Sequence, residues 1–215
     1  DKTNSVRKLV LASSALAYGA FRDNPVPLSE ERPLRVSGPR YGLEVREMEE
    51  SVRDRLPGLR ATLQVSVLRL CTIVGVPKRL GLVRAFRRMP FGVSVLLRDC
   101  PLQFLAIEEL LAVLLRILEA REFRGIYNVA PDGHTTLKEL CRALKPRHLR
   151  LPYSALWLAM YLCRKTLPEW GISEEEARYL LYPVVVDNAK LKKDLGLSFA
   201  TASETAFARD LEAST

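Results

Sequence analysis

The stretch KLVLAS, residues 8–13, decides how the rest of the chain is read, because it is a short apolar run that ends in small polar residues. Such a run is typical of a buried strand in a parallel sheet. After a Pro-rich loop, residues 41–56 carry apolar side chains at three- and four-residue steps, which predicts a helix. A second apolar run, TLQVSVLRLCTIVG, ends at Gly75 and predicts another strand. Together these segments predict a βαβ unit whose parallel strands are adjacent or nearly so, with ligands at their carboxyl ends.

The composition is that of a globular protein large enough to bury a sizeable core. The chain has 215 residues, of which 48% are hydrophobic and 27% are charged, as in ordinary soluble domains. The formal charge is +8, but basic and aromatic residues are not interleaved, so we expect no nucleic-acid binding. Four cysteines without C-x-x-C spacing and two histidines predict reduced, mostly buried thiols in a cytoplasmic protein and no metal site.

The segment YSALWLAMYLC, residues 153–163, is the most apolar part of the chain. It is shorter than the roughly 20 residues of a membrane-spanning helix, so it predicts a buried or interfacial helix and no membrane span. One alternative is a protein that lies on a membrane surface through this helix and the nearby Arg164 and Lys165. The chain begins at Asp1 without Met and enters an apolar strand almost at once. We therefore expect it to be a piece of a longer protein.

Local patterns with chemical content follow one another in the βαβ unit: SSALAYG at residues 13–19, YGLEV at 41–45 and LRLCTIVG at 68–75. Later patterns are PLQFLAIEEL at 101–110, GIYNVAPDGHTTLKEL at 125–140 and DNAKLKKDLGLSFATASETAF at 187–207. In order and spacing these patterns resemble the extended short-chain dehydrogenase/reductase family. The resemblance is to its NAD-dependent epimerase/dehydratases, which act on nucleotide sugars.

The resemblance implies an α/β fold. It would consist of a partial Rossmann-like parallel sheet with helices, and a smaller, mostly helical C-terminal substrate lobe. Residues 1–76, with about 101–130 returning to them, would be the C-terminal part of an NAD-binding domain. Residues 77–100 and 131–215 would form the substrate-binding lobe. The Gly-rich turn that holds the cofactor pyrophosphate in the family is absent from this sequence. The pocket for NAD or NADP would therefore be incomplete in this chain.

The resemblance also implies the site residues. Ser14 takes the place of the Ser that hydrogen-bonds the reacting hydroxyl or carbonyl group, and Tyr41 takes that of the Tyr that transfers its proton. These two are the expected catalytic residues. The expected cofactor contacts are Ser13, Tyr41, Val45, Leu70 and Thr72. The expected substrate contacts are Ser14, Thr72 and Leu102.

Position 45 departs from the family pattern. The family has Lys there, whose ammonium lowers the phenol pKa and hydrogen-bonds the nicotinamide ribose, whereas this chain has Val45. Arg46 lies about 100° further round the helix and is a poor substitute. Because Tyr41, Val45, Met48 and Val52 would form an uninterrupted apolar stripe, a core role for Tyr41 is the alternative to a catalytic one.

A second departure concerns the substrate. Leu102 and Ala106 stand where sugar-nucleotide epimerases often have an Arg and a His, which removes a phosphate or ribose partner. The leading interpretation is an NAD-dependent oxidoreductase of the epimerase/dehydratase type that acts on a nucleotide sugar or a related hydroxyl or carbonyl substrate. The alternative is a non-catalytic relative that binds a nucleotide or a protein partner. By the same resemblance, the Tyr41 helix could pair two copies into a homodimer.

Overall fold

The structure is a computed structural model that describes residues 5–35, 41–59, 61–76, 86, 88–96, 99–166 and 178–212. For Tyr41, Met160, Cys163 and Arg164 the description covers the backbone only.

Three parallel strands form the central sheet, in the order β1 (Lys8–Ser14), β2 (Gln64–Leu70) and β7 (Gly125–Val129). Helix α1 (Tyr41–Arg55) connects β1 to β2. The predicted βαβ unit with parallel, adjacent strands is therefore confirmed. The strands are nearly continuous apolar runs because helices cover both faces of such a sheet.

The second predicted strand does not continue to Gly75. It ends at Leu70, after which the Cys71 N–H donates to the Val129 carbonyl oxygen at 3.0 Å. Residues Thr72–Val74 form a separate strand, β3, that pairs in parallel with β6 (Phe104–Ala106). The expectation of one unbroken strand is wrong, because this segment changes its pairing partner at Cys71.

The larger hydrophobic cluster packs helix α2 (Ile107–Glu119) against the central sheet. Leu110, Val113 and Ile117 recur at three- and four-residue steps, so they line one face of the helix. They join Leu68 and Leu70 of β2, whose side chains point to the sheet face opposite to that of Arg69. Helix α2 and helix α1 therefore cover opposite faces of the sheet.

A smaller cluster packs helix α6 (Ser203–Glu212) on β6. The rings of Phe104 and Phe207 lie 4.7 Å apart between their centroids, and Phe86 meets Phe207 edge to face at 5.2 Å. The rings fill the space between strand and helix, and such aromatic pairs stabilise a core beyond the area they bury.

The remaining elements are shorter and lie mostly in the second half of the chain. They are β4 (Gly92–Val95), β5 (Pro101–Leu102), β8 (Thr135–Thr136), α3 (Leu137–Leu144), β9 (His148–Leu151), α4 (Tyr153–Thr166) and α5 (Ala189–Leu195). Strand β4 pairs in parallel with β9, and β5 pairs antiparallel with β8. Among the described helices, none is long and apolar enough to cross a membrane.

A row of buried polar side chains crosses the central sheet. Ser13, Arg69 and Asn128 are register neighbours on the three strands and are at most 5% exposed. Glu49 of α1 covers the row: its carboxylate accepts hydrogen bonds from Arg69 Nη2 at 2.8 Å and Nε at 3.2 Å, and another from Ser13 Oγ. The buried face of α1 thus carries a carboxylate one turn beyond Val45, so the expectation of an uninterrupted apolar stripe is wrong.

Tyr18 completes this polar network. Arg69 Nη1 donates to the Tyr18 hydroxyl at 2.8 Å, and that hydroxyl donates to Asn128 Oδ1 at 2.8 Å. Burial opposes the charge of Arg69, but its hydrogen bonds to Glu49 and Tyr18 outweigh burial and raise the guanidinium pKa. Arg69 is therefore a buried cation whose charge depends on one carboxylate.

We expect Glu49→Ala to lower the free energy of unfolding by about 3–5 kcal/mol, because it leaves the buried Arg69 charge without its counterion. The matched control is Glu50→Ala, which removes a half-exposed pair with Arg46 (2.7 Å) and should cost no more than about 1 kcal/mol. Urea denaturation followed by circular dichroism measures both. Equal losses in the two variants would contradict a structural role for the buried pair.

The described cysteines Cys71, Cys100 and Cys141 are free thiols and buried, as expected from the sequence. Burial raises the pKa of Cys141 to about 11, so at pH 8 it is almost entirely the unreactive thiol. An ordinary thiol with a pKa near 8.5 reacts faster by about 10² at this pH. We expect iodoacetamide to alkylate Cys141 on the order of 10² times more slowly in native protein than in urea, as measured by peptide mass spectrometry. Equal rates would show that this thiol is accessible.

Candidate active site

Ser14 lies at the carboxyl end of β1, where the chain turns into a short 3₁₀ helix, Ala15–Tyr18. Its Oγ accepts a hydrogen bond from the Leu16 N–H at 3.2 Å and so caps this helix. The bond uses a lone pair of the hydroxyl, which keeps its hydrogen to donate. Ser14 is buried, so a substrate could use this donor only through a cleft.

The start of α1 lies beside this turn. A Cβ atom built on Gly42 would be 3.8 Å from the Leu16 carbonyl oxygen, an ordinary van der Waals contact. The backbone of Tyr41 is therefore close to the turn that follows Ser14. The Tyr41 hydroxyl lies outside the described part of the structure, and its convergence with the Ser14 hydroxyl stays a prediction.

A cleft opens beside this turn, at the carboxyl ends of β1 and β2. Its cavity volume is about 70 Å³. Leu16, Thr72 and Leu102 are among the residues that line it. The structure thus brings two of the predicted contacts, Thr72 and Leu102, to the same cleft, next to the turn that Ser14 begins.

The cleft is lined by apolar and neutral side chains, and none of its described lining residues is charged. The Tyr179 hydroxyl donates to the Leu16 carbonyl oxygen at 2.9 Å. The Gln103 amide donates to Gly133 O and accepts from the Val186 N–H at 2.8 Å. The polar side chains around the cleft are thus partly engaged in holding its walls.

The other predicted cofactor contacts are buried. Ser13 donates its hydroxyl hydrogen to Glu49, and Leu70 belongs to the larger hydrophobic cluster. Val45 is 8% exposed on the buried face of α1. Arg46 pairs with Glu50 along the helix, which agrees with its exclusion as a substitute for the family Lys. Cofactor contacts by Ser13, Val45 and Leu70 stay predictions.

Sequence reasoning overlooked Tyr18, a buried phenol whose hydroxyl accepts a hydrogen bond from a cation. Arg69 lies 2.8 Å from its hydroxyl, and both residues occur in the quoted motifs, SSALAYG and LRLCTIVG. Burial raises the Tyr18 pKa although Arg69 opposes this shift. Because Tyr18 is 1% exposed, it cannot exchange protons with a ligand in the cleft, and its role is structural.

Comparison with sequences gives a limited match. No family model matches the chain. Uncharacterized proteins of Mycobacterium bovis and Mycobacterium tuberculosis are 27% identical over 200 residues, which are 91% of this chain and 51% of each relative. The chain therefore spans about half the length of the curated relatives it matches.

Comparison with solved structures is more informative about the fold. UDP-glucose 4-epimerase of Thermotoga maritima, solved with UDP-glucose, has a TM-score of 0.67 and 17% identity, over 97% of this chain and 63% of that one. RMD of Pseudomonas aeruginosa, complexed with NADPH, has a TM-score of 0.67 and 17% identity, over 100% and 70%. WbmG of Bordetella bronchiseptica, in complex with NAD and UDP, has a TM-score of 0.67 and 18% identity, over 96% and 58%. The chain thus has the α/β fold of these proteins, which confirms at the level of the fold the resemblance seen in its sequence motifs.

Proposed function

We propose that this chain is the part of an NAD(P)-dependent oxidoreductase of the epimerase/dehydratase type that carries its catalytic strand and its substrate lobe. The substrate would be a nucleotide sugar or a related hydroxyl or carbonyl compound. One observation supports the proposal: a cleft opens at the carboxyl edge of a parallel sheet, beside the turn that Ser14 begins, and the start of α1 lies against the same turn. Parallel α/β sheets bind their ligands at this edge.

The similar structures support this proposal, because they hold UDP-glucose, NADPH, or NAD and UDP as ligands. In the proposal, residues 1–76 and about 101–130 belong to the cofactor domain, and residues 77–100 and 131–215 form the substrate lobe. The protein would act in the cytoplasm, and two copies would associate through α1.

The described residues fit the nicotinamide end of a cofactor in part. Ser14 keeps a hydroxyl hydrogen for a ligand, and Tyr41 begins the helix beside it. Val45 is apolar and offers no donor to a ribose hydroxyl. When bound, the cofactor would supply the hydride acceptor. Ser14 and Tyr41 would therefore provide the polar contacts at the nicotinamide end of the site, and Val45 would provide none.

The proton chemistry follows from these residues. Ser14 or Thr72 would donate a hydrogen bond to the substrate oxygen, and the hydroxyl proton of the substrate would pass to Tyr41 as the carbon is oxidised. For that transfer Tyr41 must lose its own proton near neutral pH, which a nearby cation promotes. Since Val45 is not a cation, we expect turnover to be slow.

A non-catalytic relative that binds a nucleotide or a protein is the second candidate. Val45 favours it, and the absence of charged side chains among the described lining residues of the cleft favours its protein-binding form over its nucleotide-binding form. Pyrophosphate groups are normally held by Arg, Lys or backbone N–H groups. Binding without turnover would separate this candidate from the first.

The test of the function is Val45→Lys in the full-length protein, compared with the unchanged protein. A Lys four residues after Tyr41 would lower the phenol pKa and reach the ribose, so we expect tighter NAD binding and a hydride-transfer rate higher by about 10²–10⁴. Calorimetric titration with NAD and NADH absorbance with UDP-glucose measure these changes. The control is Val52→Lys, which adds the same charge further along the helix.

A Val45→Lys protein that melts much lower, binds NAD no more tightly and shows no turnover would refute catalysis by Tyr41. We expect at most a modest fall in melting temperature, because the long Lys side chain can carry its ammonium out to the cleft.

Leu102 provides an independent test of the substrate class. We expect Leu102→Arg to tighten UDP binding by about tenfold, because a guanidinium in the cleft can bind phosphate oxygens with two hydrogen bonds. Fluorescence-detected titration with UDP measures the change, and Leu59→Arg, at an exposed position away from the cleft, is the control. Unchanged affinity would argue against a nucleotide in this cleft.

A further inference from the structure

Helix α4 (Tyr153–Thr166) exposes an unusual amount of apolar surface. Tyr153, Trp157, Leu158, Tyr161 and Leu162 are each between 41% and 52% exposed. These five positions do not share one narrow face, since Trp157 and Leu158 are adjacent and so are Tyr161 and Leu162. A helix of this composition is normally covered.

A cation, Lys165, follows the aromatic residues of α4 and lies beside one of their rings. The rings of Trp157 and Tyr161 stack with centroids 5.5 Å apart and planes at 10°. The Lys165 ammonium lies 4.9 Å from the centroid of the Tyr161 ring. Aromatic rings with polar edges followed by a Lys that keeps its charge at the surface are typical of helices at a membrane–water interface.

The chain around α4 is strongly cationic. Residues 140–168 contain six cations and no Asp or Glu, in a chain whose formal charge is +8. The six are Arg142, Lys145, Arg147, Arg150, Arg164 and Lys165. Lys145 donates inward to the Met89 carbonyl oxygen, whereas Arg142, Arg147 and Arg150 are exposed. This stretch therefore attracts anions.

Strand β9 (His148–Leu151) carries Arg150 and directly follows Arg147, so these two cations precede α4 in the chain. It leads into the helix through Pro152, and Leu149 on it is 49% exposed. Partial burial and the nearby Arg142 and Arg150 lower the pKa of His148. The charges thus act on the same part of the fold, directly before the apolar helix.

We propose that α4 and β9 form a docking surface for an anionic lipid bilayer, with α4 lying in the headgroup region. Exposed apolar side chains on one half of the helix suit the membrane interface, and a stretch of sequence whose cations have no Asp or Glu between them suits anionic headgroups. Helix α2 provides a contrast: it exposes Leu111, Leu115 and Leu118, but three glutamates lie among its residues. The inference does not rest on the proposed enzymatic function.

The test is vesicle binding by the purified protein carrying Trp170→Phe, so that Trp157 is the sole tryptophan. We expect sedimentation with phosphatidylcholine vesicles that contain about 30% phosphatidylserine, at least about tenfold stronger than with phosphatidylcholine alone. Binding should shift the Trp157 emission to shorter wavelength and weaken as salt is added.

Two variants separate the apolar and the charge contributions. The double variant Trp157→Ser with Leu158→Ser should reduce vesicle binding at least about tenfold. Sedimentation is the only measurement of binding used for this variant. Arg147→Gln with Arg150→Gln should remove most of the preference for anionic vesicles. The matched control, Leu115→Ser with Leu118→Ser on α2, should bind as the parent does. Circular dichroism melting checks that each variant is folded.

Three results would overturn the proposal. The first is equal binding to neutral and anionic vesicles, or binding to neither. The second is a loss of vesicle binding in the α2 control equal to that in the α4 variant. The third is self-association in sedimentation velocity that Trp157→Ser with Leu158→Ser abolishes. The last result would assign α4 to contact between copies of the chain. If Trp157→Ser with Leu158→Ser is unstable, the preference of Arg147→Gln with Arg150→Gln for anionic vesicles still tests the proposal.

Discussion

The buried pairing of Glu49 with Arg69 is the interaction on which the arrangement of this fold depends. An ionised pair inside a protein is stable only when its hydrogen bonds are satisfied. Here the guanidinium also donates to Tyr18, and the carboxylate also accepts from Ser13. The pair joins α1, β1, β2 and the turn after Ser14 in one network. A buried charged network therefore fixes the elements that position the candidate site, whereas the cleft itself is lined by neutral side chains.

This arrangement also relates the two roles of α1. Val45 and Glu49 lie one turn apart on the same buried face, so the helix that begins at Tyr41 is anchored by Glu49 next to the position where the resemblance implies a Lys. The anchor is intact in this chain although the Lys is not. Loss of that one cation changes the expected chemistry without removing the packing that positions the helix.

Much of this fold is predictable from local sequence patterns, because apolar runs and turn residues mark each strand and helix by themselves. The end of β2 at Leu70 is not, since it depends on Thr72–Val74 pairing with Phe104–Ala106, far along the chain. The role of Glu49 was hidden for the same reason: periodicity places it on the buried face, but its partner is on another element. An Arg inside an apolar strand, as at position 69, was the available signal. For the site, motif order predicts Ser14 and Tyr41, whereas the neutral lining of the cleft emerges only when distant segments meet.

Strand β1 lies at one edge of the described sheet, with only β2 hydrogen-bonded to it. Its sequence after Lys8 is apolar and uncharged, and Leu9 is 40% exposed. An open edge of this kind is a template on which further β-structure can grow, and natural proteins usually protect it with charges, prolines or a covering element. Lys8 is the one charge on this strand, and its ammonium is turned away to the carbonyl oxygens at the end of α2. The edge of the described sheet at β1 is therefore the place where a further strand could pair.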